Sequence, residues 1–297
     1  MRLDFLTGKY GLQFLLLIFI AAISLIIFQL ISFLLIFSLT PFELNDLIPK
    51  LNLLKITSIN EGYWVFFILS FSQSIGVFIL PGLIFKWLSR HSQIVTFNFN
   101  LKTSINFLVS LPLFVIAGVI VVGFLGELNM KLYLPQMFVD MENTATETVN
   151  YILSFRSPGY VALNILLICI LPAIGEELFF RGVIQKIFVH WTKKNWIAIL
   201  ITAIIFSAIH FQFLTFLPRF FMGIMLGYLF VWSRNLLIPI IAHFLHNLFS
   251  IIVAYSTDTM DMREVEPVNI FIVMIAVLVM GGIGYWYYLD SKKHHVS

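Results

Sequence analysis

Residues 159–190 read GYVALNILLICILPAIGEELFFRGVIQKIFVH, a run long and apolar enough to cross a membrane. A helix needs about 20 predominantly apolar residues to span a hydrocarbon core of roughly 30 Å, and this run exceeds that length. A window of about 19 residues finds seven further apolar segments, near 11–38, 63–86, 104–126, 196–213, 219–233, 236–255 and 267–288. Together they predict an all-α, polytopic membrane bundle of about eight transmembrane helices, multi-pass in the inner or plasma membrane. Composition points the same way. Of 297 residues, 60% are hydrophobic and only 11% charged, against about 25% charged in a soluble domain. A soluble chain this apolar would expose patches that aggregate. The net charge of +3 is spread along the chain without a basic run, which excludes nucleic acid as a partner. The single cysteine, Cys169, rules out an intramolecular disulfide and a zinc site of the Cys-x-x-Cys kind. The apolar stretch Gly11 to Leu39 is far longer than a signal-peptide core of roughly 7–15 residues and reads as a retained first span.

Sidedness follows from the basic residues. With the N-terminus inside, 12 of the 18 fall on the cytoplasmic side: Arg2, Lys9, Lys86, Arg90, Lys102, Arg181, Lys186, Lys193, Lys194, Arg234, Lys292 and Lys293. Lys50, Lys55, Lys131, Arg156, Arg219 and Arg263 fall outside, together with Asp140, Glu142 and Glu147 in one loop and Asp258, Asp261, Glu264 and Glu266 in another. Both termini are therefore expected in the cytoplasm. Trp64, Trp87, Trp191, Trp196, Trp232 and Trp286 all mark expected span ends, where an amphipathic indole belongs.

Ionisable residues deep in a helix cost about 2.5–3.5 kcal/mol on insertion scales, so those within spans carry the chemistry worth examining. Three clusters stand out: Glu176-Glu177 with Arg181, Phe206 with His210, and His243 with Asn247. Each has a bland reading. Glu177 and Arg181 lie four apart and can pair on one helix face. His210 alone fits a hydrogen-bonded core histidine, and His243 and Asn247 could merely bond neighbouring helices. Glu176 is harder to dismiss, since it points about 100° away from its neighbour and is left without that arginine. Counted from the flanking tryptophans at 1.5 Å per residue, Glu176 and His210 come level at about 21–22 Å, and the third cluster lies about 10–17 Å deep. The economical reading is one polar chamber, opening toward the cytoplasm.

The order Glu-Glu-x-x-x-Arg, Phe-x-x-x-His, His-x-x-x-Asn on successive apolar helices resembles the CPBP family of intramembrane proteases, the CAAX prenyl protease and bacteriocin-processing or Abi proteins. The resemblance covers about residues 155–255. Residues 1–150 form N-terminal transmembrane helices and loops without a recognisable signature, and 256–297 a last transmembrane helix with a cytoplasmic tail. The resemblance implies hydrolysis of a peptide bond in a membrane-embedded or lipidated substrate, including prenylated CAAX chains. Glu176 is the expected general base, because a carboxylate held away from bulk water is better suited to take a proton. His210 would hold or deprotonate the water, and His243 with Asn247 would donate to the oxyanion. Glu177 and Arg181 would position the base or bind substrate, and Phe206 would bind substrate or serve structurally. No cofactor is favoured. Were zinc present, Glu176, His210 and His243 would be its ligands. His246, an extra histidine, points to a different face from His243. Two other classes compete: an inactive scaffold or bacteriocin-immunity factor, and a proton-coupled transporter, which predicts pseudo-repeats with broken helices that the two halves do not display.

Overall fold

The computed structural model describes residues 8–39, 59–89, 95, 97–99, 105–257 and 267–293. Arg2, Lys50, Lys55, Arg90, Lys102, Asp258, Asp261, Arg263, Glu264 and Glu266, used above for sidedness, lie outside the described residues. Among the described residues there are nine helices and no strand. In chain order they are α1 (Tyr10–Leu39), α2 (Ile59–Gln73 continuing through a π turn, Ser74–Ile79, into Leu80–Leu88), α3 (Ile105–Met130), α4 (Gln136–Leu153), α5 (Pro158–Thr192), α6 (Asn195–Ala208), α7 (Phe216–Ser233), α8 (Leu237–Thr257) and α9 (Ile270–Lys293). Seven of them are long and apolar enough to cross a membrane, and the chain is an integral, multi-pass membrane protein.

The eighth expected span is shorter than the hydropathy suggested. With 14 residues, α6 reaches about 21 Å at 1.5 Å per residue, less than a roughly 30 Å core. The chain turns back inside the bundle. Phe211 takes a left-handed conformation at φ 54°, and a single 3-10 turn at Phe213–Thr215 leads into α7. Residues 209–213 are apolar enough to extend a hydropathy window without extending a helix. The polar stretch 127–157, in turn, is not a plain loop, because it contains the amphipathic helix α4, which buries Glu142, Ile152 and Leu153.

The two ends of the bundle are chemically distinct. At one end Lys193 lies over the Tyr10 ring, Lys86 over Phe97, and Lys186 over Phe230. The Asn98 side chain donates to the Arg234 carbonyl at the same end. At the other end Glu127 accepts from the Val268 amide, Asn129 donates to the Phe213 carbonyl, and Phe138 packs on Phe213. The largest buried cluster reaches the basic end. There Phe180, Val183, Ile184 and Ile187 of α5 meet Ala198 of α6, Leu226 and Leu229 of α7, and Ile238 and Ala242 of α8. By contrast α1 and α9 turn large apolar side chains outward, Leu34 being 70% and Leu278 73% exposed, as lipid-facing helices do.

Two glycines set the spacing of the helices that carry the site. A Cβ at Gly223 would come within 2.9 Å of the Ala203 Cβ, and one at Gly227 within 2.9 Å of Ile199. Four residues apart, they let α7 press its backbone against α6, the small-residue packing that membrane helices rely on. The same close approach offers their carbonyls to α5, where Arg181 donates to Gly223 and Gln185 to Gly227.

Candidate active site

Adjacent carboxylates on α5 diverge. Glu177 points into the protein, fully buried. Its Oε1 accepts from Arg181 Nη1 at 2.7 Å and from His243 Nδ1 at 2.9 Å. Arg181 is itself fully buried, donates its second terminal nitrogen to the Gly223 carbonyl at 2.9 Å, and lies 5.1 Å from the Phe206 ring centroid. A charge this deep persists only where it is paired and hydrogen-bonded, and this arrangement supplies both at Glu177 Oε1 and the terminal nitrogens of Arg181, while Glu177 Oε2 and Arg181 Nε find no hydrogen-bond partner among the described residues. Glu176 is turned instead into a cavity of about 250 Å³. Its Oε2 faces His243 Nε2 across 3.9 Å.

His210 lies two residues beyond the last residue of α6. Its Nδ1 is 2.7 Å from the Phe206 carbonyl, and a carbonyl can only accept, so Nδ1 carries the proton. In the neutral ring Nε2 then carries a lone pair. Phe206 packs edge-on against both His210 and Phe180, with centroids 5.2 and 5.0 Å away. Asn247 is tied to α5 by a vacancy in that helix's hydrogen bonding. Pro172 has no N–H for the Ile168 carbonyl four residues earlier, and Asn247 Nδ2 donates to that oxygen at 3.1 Å. The second amide hydrogen of Asn247 is not required by this bond.

Glu176, Phe206, His210, His243 and Asn247 all line the cavity, whereas Glu177 and Arg181 stand behind its wall. His246 is buried on another face, as its spacing implied, and is not part of the lining. One lining residue was missed by the sequence reading. Arg219 was counted as an outer-loop charge, yet it lies in the first turn of α7 with its guanidinium turned to the cavity wall. It donates to the Gln212 carbonyl at 3.1 Å, and also to Thr215 Oγ1 and Gln212 Oε1. Thr215 in turn donates to Glu142 of α4 at 2.9 Å. An arginine three residues into an apolar run was the available signal.

The direction of the chamber also differs from expectation. From Glu176 the lining continues along α5 to Pro172 and Ile168, and from His243 along α8 to Asn247, Ser250 and Ile251. Both walls run away from the basic end. The depth count brings Glu176 and His210 level, and they share the cavity, but a distance from a helix end does not say toward which end the cavity runs.

As for metal, Glu176 and His243 approach one another, but among the described residues no three His, Cys, Asp or Glu side chains converge as a metal ion requires. The arrangement as it stands does not fit the zinc set of Glu176, His210 and His243.

Residues 158–249 match the family model described as type II CAAX prenyl endopeptidase Rce1-like. The chain is similar to the uncharacterized protein YpbD of Bacillus subtilis, 34% identical over 86 residues, or 28% of this chain and 41% of that relative. It is also similar to an uncharacterized 24.3 kDa protein of Escherichia coli, 35% identical over 89 residues, or 28% of this chain and 40% of the relative. The chain thus spans about two fifths of the length of the curated relatives it matches. No solved structure matches it.

Proposed function

We propose, from the match of residues 158–249 to the Rce1-like family model of type II CAAX prenyl endopeptidases, that the chain is an intramembrane endopeptidase that cleaves membrane-associated polypeptides with a glutamate-activated water. The observation that carries this reading is the Glu176 carboxylate, turned into a cavity and set 3.9 Å from a histidine that a second carboxylate holds from behind.

In the proposed reaction, Glu176 takes one proton from a water whose oxygen attacks the carbonyl carbon of the scissile peptide bond. His210 orients that water through the lone pair on Nε2, since its Nδ1 is committed to Phe206. The carbonyl oxygen becomes an oxyanion. Asn247 donates its remaining amide hydrogen to it, and His243 donates from Nε2 when the ring is protonated at both nitrogens. When the tetrahedral intermediate collapses, the carbon–nitrogen bond breaks and Glu176 returns the proton to the departing amine, so the carboxylate is regenerated. Glu177 and Arg181 are positioning residues in this scheme. They fix His243 through Nδ1 and do not meet the substrate.

The test compares peptides released from membranes that contain the wild type with those from membranes containing Glu176→Ala, His210→Ala or His243→Ala. Each substitution is expected to lower release of the same fragments by at least about two orders of magnitude with membrane insertion intact, since a general base and an oxyanion donor are each worth that much. Undiminished cleavage by purified Glu176→Ala would remove the mechanism.

A further inference from the structure

We infer that the chamber receives its peptide from the extracytoplasmic half of the membrane, which makes the substrate class exported, membrane-tethered polypeptides and not chain ends presented from the cytoplasm. The word substrate rests on the proteolytic reading above, whereas the side of access rests on geometry and charge alone.

Toward the basic end the chamber is closed. On the basic side of Glu176 along α5, Glu177, Arg181 and Ile184 are each fully buried, as are Leu236, Ile238 and Ala242 on the basic side of His243 at the start of α8. Water or peptide cannot reach the carboxylate past them without dismantling the core. Toward the opposite end the walls loosen. Ile168 and Ile251 lie eight residues from Glu176 and His243 on their helices, so the lining extends about 12 Å in that direction at 1.5 Å per residue. The half-buried side chains of Ile168, His210, Asn247 and Ser250 form the mouth.

Charge identifies the closed end as cytoplasmic. Arg181 and Arg219, one counted on each side in the sequence, are bundle-interior residues and say nothing about loops. Setting them aside leaves ten basic side chains among the described residues, and eight of them, Lys9, Lys86, Lys186, Lys193, Lys194, Arg234, Lys292 and Lys293, lie at the closed end against Lys131 and Arg156 at the other. The mouth is also bordered by large apolar groups that face outward. Phe211, beside His210, is 58% exposed, and Ile252, beside Ile251, is 50% exposed. Such a rim borders hydrocarbon, so a peptide entering there is one the membrane already holds, while the polar lining of His210, Asn247 and Ser250 admits water to the mouth from the outer side.

The test uses single cysteines in a Cys169→Ala background, which removes the chain's one native thiol. Ser250→Cys and Ile168→Cys report on opposite walls of the mouth, Tyr133→Cys on the outer end and Lys194→Cys on the basic end. The probe is a small cationic, membrane-impermeant methanethiosulfonate, applied to intact cells and to inverted vesicles, with loss of free thiol as the readout. Expected is loss at Ser250→Cys or Ile168→Cys in intact cells, together with Tyr133→Cys, while Lys194→Cys is lost only in inverted vesicles. Loss at the mouth positions only in inverted vesicles, no loss at either in intact cells where Tyr133→Cys reacts, or reversal of the two reference positions would each overturn the inference. Labelling requires no cleavage, so an inactive purified protein would sink the peptidase reading and leave the side of access standing.

Discussion

Replacing Glu177 by Gln changes one atom and almost no shape, yet it removes the charge on which two buried groups depend. Glu177 Oε1 lies 2.7 Å from Arg181 and 2.9 Å from His243, and Arg181 has no solvent exposure. Glutamine keeps an acceptor oxygen there but leaves the guanidinium without a counter-charge. Removing one partner of a buried pair costs about 3–5 kcal/mol, and the retained acceptor argues for the lower end, about 3 kcal/mol or roughly 150-fold in the folding equilibrium. Arg181→Met alone should cost a comparable amount, because it strands the carboxylate instead. The double variant Glu177→Gln, Arg181→Met buries neither charge, so its loss should fall short of the sum of the singles by about 2 kcal/mol or more. Reversible unfolding of the purified protein in mixed micelles of increasing denaturing-detergent fraction measures all three. Strict additivity, or a Glu177→Gln variant as stable as the wild type, would refute the claim that these two buried charges depend on one another.

Further outcomes follow from the same geometry. Asn247→Asp exchanges the donor that serves the Ile168 carbonyl and the proposed oxyanion for a group that repels both when ionised, so turnover should fall by about two orders of magnitude, measured on whichever fragment the wild type releases. The purified wild type should retain its rate in the presence of a strong chelator. One equivalent of tightly held zinc, lost together with activity, would overturn the proposed glutamate mechanism. Gly223→Ala should destabilise by about 1–3 kcal/mol, because its Cβ would meet the Ala203 backbone and Cβ at about 3 Å, where nothing flexible can yield. Gly281→Ala on α9, with open space around the same atom, should be neutral or slightly stabilising.

Seven of the spans and most of the candidate site were legible for one reason: in a chain this apolar, a long span and an ionisable exception within it are conspicuous. Glu176, His210 and His243 announce themselves because nothing near them in sequence is polar enough to be their solvent. What hydropathy cannot register is a reversal of direction built from apolar residues. α6 stops at Ala208 because Phe211 adopts a left-handed conformation and His210 takes the Phe206 carbonyl, and neither event changes the average hydropathy. Arg219 was misplaced for the complementary reason. A charge count assigns an arginine to the nearest loop, whereas Gln212 and Thr215 draw this one into the bundle. Only tertiary partners separate a loop charge from a buried one, and those partners lie on elements the charge count treats separately.

His243 joins the two carboxylates of α5, and the distances show how unequally it does so. At Nδ1 it meets Glu177 at 2.9 Å, the length of a charge-assisted hydrogen bond. At Nε2 it stops 3.9 Å from Glu176, beyond the roughly 3.2 Å upper range of such a bond. The second contact does not close as the first does, and the Glu176 carboxylate is left facing the cavity. The gap remains open on the side that faces the cavity. It leaves both the acceptor on Glu176 and Nε2 of His243 unclaimed by one another, as the proposed reaction requires of a base and an oxyanion partner that must act on different atoms of one peptide bond.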